Sequence, residues 1–113
     1  MPIGLIVMKF DVRFGTKVLT QYPESVELSM QTLMHLYGTH QYTGEMGMIS
    51  LLVGDVNVAS YYTGPETEYY LILLLKIDED PDIYEAGLAQ ASRRVLDNIK
   101  DDHYIDILFT PYL

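Results

Sequence analysis

Two stretches of this chain, Ile3-Gly-Leu-Ile-Val-Met-Lys-Phe10 and Tyr69-Tyr-Leu-Ile-Leu-Leu-Leu75, are apolar at nearly every position. Each has the length of a strand, and neither alternates polar with apolar side chains. A strand with one wet face must alternate, because successive side chains point to opposite faces of the sheet. Both runs are therefore expected to be covered on both sides and to lie in the middle of one layer. Neither approaches the ~20 residues that a membrane span requires. Neither has the basic flank and small-residue cleavage site of a secretory signal.

The remaining elements are arranged around these two runs. Asp11-Val-Arg-Phe-Gly15 supplies a turn, and Lys17 to Tyr22, mixed in polarity, reads as an edge strand paired back on the first. Pro23 stops the sheet. Val26, Met30, Leu33 and Tyr37, with Met34 beside them, recur at helical spacing, so a helix with that buried stripe is expected to end at Gly38. Glu24 and Glu27 stand in its first turn, where the helix dipole favours acids. Thr39 to Gly47 is expected to be a loop. Met48 to Val53, Val56 to Tyr62 and Glu68 to Ile77 follow with short turns at Gly54-Asp55 and Thr63–Thr67, which makes an antiparallel meander. Asp80 caps a second helix with Pro81 in its first position, and Tyr84, Leu88, Ala91, Val95 and Ile99 form its stripe. The tail from Asp101 to Leu113, acidic and then apolar, reads equally as a short helix or an extended segment packed on the domain.

The expected fold class is thus α/β in the α+β sense. Its element order is β-β-α-β-β-β-α, with a five-stranded antiparallel sheet of order 2-1-5-4-3 and helices on both faces. With 113 residues, 49% of them hydrophobic and 20% charged, the chain suits one globular domain spanning residues 1–113. The absence of cysteine removes disulfides and thiolate chemistry and fits a reducing, cytoplasmic setting. The net charge of −9 is concentrated late, residues 78–113 holding nine of the sixteen acids and three of the seven bases. So acidic a surface repels nucleic acid and anionic lipid. It either keeps the domain in solution or meets basic protein patches.

That element order, with the opening Gly4-Leu-Ile-Val-Met-Lys-Phe-Asp11 and Gly15 in the first hairpin, resembles the longin-type domains of the longin/roadblock/profilin-like group. Tyr22-Pro23 and Asn57-Val-Ala-Ser-Tyr-Tyr-Thr-Gly64 are similar to free-standing archaeal-type longin-like proteins. The resemblance covers nearly the whole chain and rests on topology and pattern. It implies an adaptor, scaffold or small-GTPase-regulating role in trafficking or polarity, as a homodimer or a heterodimer with a related domain.

No catalytic motif stands out, and no cofactor is expected. Asp78-Glu-Asp80-Pro-Asp82 opens like a calcium loop, but Ile83 stands where a turn glycine is needed and Ala89 where a bidentate Glu is needed. A helix start explains the same residues. His35 and His40 are separated by the expected helix end at Gly38, and His103 stands alone, so no metal site is expected. Phosphate-binding glycine motifs and a nucleophile-elbow serine are also missing. Ten tyrosines are unusual, and Tyr61-Tyr62 opposite Tyr69-Tyr70 would place tyrosines on both faces of one hairpin, for packing or for an interface.

The best functional clue is the third strand. It is expected at a sheet edge, yet it has neither charge nor proline, the usual protections against pairing with another chain. Such an edge is either covered by the tail or used. If used as a dimer edge, where two copies pair, Met48, Ile49, Leu51 and Val53 lie at the seam. The expected function is therefore a non-catalytic protein-interaction module. The competing expectation is a small-ligand sensor, in which some of the six methionines line an adaptable cavity, although convergent buried polar groups are not expected in the core. Profilin-like actin binding is a third, minor option.

Overall fold

The computed structural model describes residues 3–11, 13, 15–22 and 28–97. In chain order they form β1 (Gly4–Asp11), β2 (Gly15–Tyr22), α1 (Met30–Thr43), β3 (Gly47–Val53), β4 (Val56–Tyr62), β5 (Tyr69–Leu75), a 3-10 turn (Pro81–Tyr84) and α2 (Glu85–Asp97). The strands make one antiparallel sheet in the order β2-β1-β5-β4-β3. The two apolar runs, β1 and β5, are neighbours in its interior, pairing from Gly4 opposite Leu74 to Lys9 opposite Tyr69.

Alternation along these strands sends one set of side chains to each face. Leu5, Val7, Leu71, Leu73 and Leu75, with Ala59 and Tyr61 from β4, pack against Leu88, Ala91 and Val95 of α2. Ile6, Met8, Val58, Tyr62, Tyr70, Ile72 and Leu74 pack against Leu33 and Leu36 of α1. Each face thus has its own helix. Leu5 to Met8 of β1 and Tyr70 to Leu75 of β5 are buried because both sides of the pleat are occupied, whereas Lys9, near the end of β1, is exposed.

The second helix starts as its residues predict. The Asp80 carboxylate accepts the Asp82 N–H at 3.0 Å, and the first turn is 3-10 before the α-helix takes over at Glu85. Of its expected stripe, Leu88, Ala91 and Val95 are buried and Tyr84 is half-buried, whereas Ile99 and the tail from Asp101 lie outside the described residues.

The first helix differs from expectation. It runs through Gly38 to Thr43, so half of the expected loop is helical. Ser29 caps its start, its hydroxyl accepting the Thr32 N–H at 3.1 Å. Gly44 ends it in the left-handed region at φ 69, its N–H bonding the His40 carbonyl. The physical reason lies in what each glycine must do. Gly38 has helical neighbours on both sides and merely lowers propensity by about 1 kcal/mol relative to alanine. Gly44 occupies a conformation in which a side chain is strained, and that geometry stops a helix. The buried face shifts accordingly: Leu33, Leu36 and His40 are buried, while Met30 and Met34 are exposed. Pro23, Glu24, Val26 and Glu27 lie outside the described residues.

The last strand is also shorter than its sequence suggests. Glu68 takes a positive φ of 59 and Lys76 leaves the sheet, so β5 spans Tyr69–Leu75 rather than Glu68 to Ile77.

Candidate functional site

The two edges of the sheet are built differently. On β2, Lys17 is exposed, and the pairing with β1 skips Leu19 at a bulge between Val7 and Met8. A bulge twists a strand out of register with any incoming chain, and a lysine resists burial beside one. By contrast, β3 pairs with β4 in unbroken register from Gly47 opposite Tyr62 to Val53 opposite Val56. Among the described residues its other edge has no strand partner. Its sequence, Gly-Met-Ile-Ser-Leu-Leu-Val, is uncharged. A two-residue turn closes the hairpin, with Gly54 at φ 60 in the position where a positive φ is required.

Three of the four residues expected at the seam divide between the faces. Ile49 and Leu51 are half-buried against the α1-side cluster. Met48 packs on the α2-side cluster. Val53 holds the last position of β3, next to the turn. Sequence reasoning did not single out Ser50 and Leu52, which are the exposed members of the same strand, Leu52 at 62%. The signal was available, since every second residue from Met48 shares its face.

Two clefts flank β3 on the α1 side. One, of about 190 Å³, is lined by Gln31, Thr32, His35, Leu51 and Val56. The other, of about 180 Å³, opens between the end of α1 and the start of β3 beside His40, Thr43, Glu45, Met48 and Ile49. From Leu28 to Gly54, which includes α1 and β3, the only charged residue besides histidine is Glu45. This side of an acidic molecule is therefore nearly neutral.

Under the second cleft lies a polar aromatic cluster absent from the sequence-based picture. His40, 1% exposed, shares a 2.9 Å hydrogen bond between its Nε2 and the Ser60 hydroxyl. Tyr62 and Tyr70, opposite each other on β4 and β5, stack at 4.8 Å, and the His40 ring lies 5.5 and 5.6 Å from them. Gln41 donates to the Tyr70 hydroxyl at 2.8 Å, and Tyr37 bridges from Tyr70 to Phe10. Burial, only partly opposed by the bond to Ser60, lowers the His40 pKa to about 4, so the ring is neutral at pH 7. Burial likewise holds the Tyr70 phenol well above its usual range. On the other face, buried Asn57 donates to the Lys76 and Glu79 carbonyls and ties the end of β5 to the approach of α2. These groups correct the expectation that polar side chains do not converge in the core. No buried side-chain donor or acceptor among the described residues is left unpaired, so none is held in reserve to orient a ligand.

The helical path corrects the account of the histidines too. His35 and His40 do share α1, but five residues apart they point about 140° away from each other. His35 is exposed and His40 faces the core. Among the described residues no three histidine or acidic side chains converge as a metal site would require; of the Asp78–Asp82 acids, Asp80 caps the helix start and Glu79 accepts from the Tyr84 hydroxyl. His103 lies outside the described residues. No helix among the described residues is long and apolar enough to cross a membrane.

No protein family matches this chain in the family comparison, and no curated protein matches it.

Proposed function

We propose that this chain is a non-catalytic, cytoplasmic protein-interaction module, a longin-like adaptor or scaffold that holds another protein chain along β3. The observation that carries the proposal is the β3 edge, which has no strand partner among the described residues, is uncharged and is flanked by two clefts. A strand added there gains main-chain hydrogen bonds, and alternate side chains reach the clefts between β3 and α1. The likeness of element order and opening motif to longin-type domains suggests the class of partner: a small GTPase or a related domain. The seam is Met48, Ile49, Leu51 and Val53, with Ser50 and Leu52 on its exposed face. The two clefts beside β3 are smaller than the roughly 300–1,000 Å³ of ordinary ligand sites, which favours a protein over a metabolite.

The test substitutes Ser50→Lys together with Leu52→Lys, both at exposed positions, and compares capture of small GTPases loaded with GDP or GTP and of native cytoplasmic partners. The variant is expected to lose a partner that the wild type retains while melting at a similar temperature. Equal retention by both proteins would remove β3 as the docking strand. No GTPase bound in either nucleotide state would remove the GTPase, and a thermal-shift response to metabolites alone would favour the sensor.

A further inference from the structure

The first hairpin carries a second feature, at the sheet edge opposite β3. Lys9 is the one charged residue in the two apolar runs that form the sheet interior, and it stands directly opposite Lys17 of β2. That pairing depends on the bulge. From Val7 opposite Thr20, an unbroken register would continue to Lys9 opposite Val18 and Phe10 opposite Lys17, which puts Lys17 on the α1 side. Skipping Leu19 shifts β2 by one residue and brings Lys17 onto the α2 side with Lys9. Both lysines are exposed there, and neither is in an ion pair with a described residue. The Lys9 ammonium lies 5.1 Å from the centre of the ring of Tyr69, its neighbour on β5, a cation–π contact. Two like charges directly across a strand pair destabilise it. Protection of the edge explains a bulge and a lysine on β2, but not a second lysine facing it from the interior strand.

We propose that Lys9 and Lys17 form a docking site for a short acidic segment of a partner protein, one carboxylate of which sits between the two ammonium groups. Charge selects the occupant. Residues 1–22 hold three bases and one acid, net +2, whereas residues 23–113 hold four bases and fifteen acids, net −11. The first hairpin is thus the one basic element of an acidic chain. A polyanion larger than the site, such as a nucleic acid backbone or an anionic membrane plane, reaches past it to the acidic remainder and is repelled. A short acidic segment confined to the hairpin lies within a Debye length, about 8 Å, of the two lysines and is screened from most of the rest. Its carboxylate replaces an opposed pair of like charges by charge-assisted hydrogen bonds, so the repulsion between the lysines favours the bound state. Four strand spacings, about 19 Å, separate β2 from β3, so this site does not rest on the β3 proposal and either can fail alone.

The test follows a fluorescein-labelled hexaglutamate peptide by fluorescence anisotropy with the full chain, against hexaglutamine as the neutral control. Wild type should bind hexaglutamate and not hexaglutamine, more weakly as salt is raised. Lys17→Glu should weaken binding by about tenfold or more. The same substitution should raise the melting temperature, because Lys9 then faces an opposite charge, which separates loss of the site from loss of the fold. Lys9→Gln is the second variant and should weaken binding as well. Lys76→Glu makes the same charge change at an exposed position beyond the other end of β5, and should leave binding within about twofold of wild type. No binding by wild type overturns the proposal, as does retention by both hairpin variants. Equal weakening by Lys76→Glu also overturns it, since net charge alone would then account for the effect. Tighter binding of oligothymidine or of phosphatidylserine vesicles than of hexaglutamate, lost in Lys17→Glu, would give the lysines to a nucleic acid or a membrane and overturn the acidic segment.

Discussion

The two faces of the sheet are each closed by one helix, yet they are closed with different chemistry. The α2 side is filled mainly by Leu5, Val7, Leu71, Leu73, Leu75, Leu88 and Val95, hydrocarbon against hydrocarbon, with Tyr61, Asn57 and Ser92 as its buried polar-bearing members. The α1 side has a similar aliphatic base, but its other half is His40, Ser60, Tyr62 and Tyr70 joined by ring contacts and hydrogen bonds. Aliphatic contacts tolerate small adjustments and do not depend on pH. A buried hydrogen-bonded cluster fixes ring orientation and fails when a partner is removed. The polar half lies under α1 beside the β3 clefts, so the face that is more exactingly organised also supports the proposed docking edge.

The difference can be broken from the hydrocarbon side first. Leu73→Ala, at a fully buried position, should cost about 2–5 kcal/mol in urea unfolding, and that cost should not vary between pH 4 and 7. Acidification addresses the other face. The His40 pKa is about 4 when folded against an ordinary value of 6.5, so between those limits the unfolded chain holds more protons than the folded one. Stability therefore rises with pH through this window, is complete above it, and loses on the order of 3 kcal/mol from this one group below it. Carboxylates titrate in the same range, so the measurement is the difference between wild type and His40→Gln: the variant should show a shallower slope from pH 4 to 6.5. An identical slope would mean that His40 is not held neutral.

Smaller changes sharpen the picture within the polar cluster. Ser60→Ala strands the His40 ring nitrogen in the core and should destabilise by about 1–3 kcal/mol, also by urea unfolding. Tyr70→Phe removes only an acceptor whose donor, Gln41, lies on an exposed residue that water can satisfy. It should cost less than about 1 kcal/mol. If the two substitutions cost the same, the ranking by burial of the stranded partner is wrong.

Much of this architecture was legible beforehand, for identifiable reasons. The unbroken apolar runs of β1 and β5 could only be interior, and the uncharged β3 could be read as an unguarded strand. Asp80 and Pro81 announced the second helix, because a cap is a local event. The first helix was misread because it carries apolar residues all round. Met30 and Met34 are as periodic as Leu33, Leu36 and Tyr37, and Gly38 resembles a terminator. Only continuation of the series Leu33, Leu36, Tyr37, His40 past Gly38 could have placed the histidine in the core. No local rule distinguishes that series from the exposed ridge.

The residue order alone determined which segments must be strands, which of them need cover on both sides, and where capping groups start the second helix. Those properties depend on neighbours a few positions away and on the gross requirement to leave water. The tertiary structure decided which side of α1 turns inward and that His40, Ser60, Tyr62 and Tyr70 meet. These outcomes depend on shape matching between elements about twenty to thirty residues apart, which periodicity does not encode.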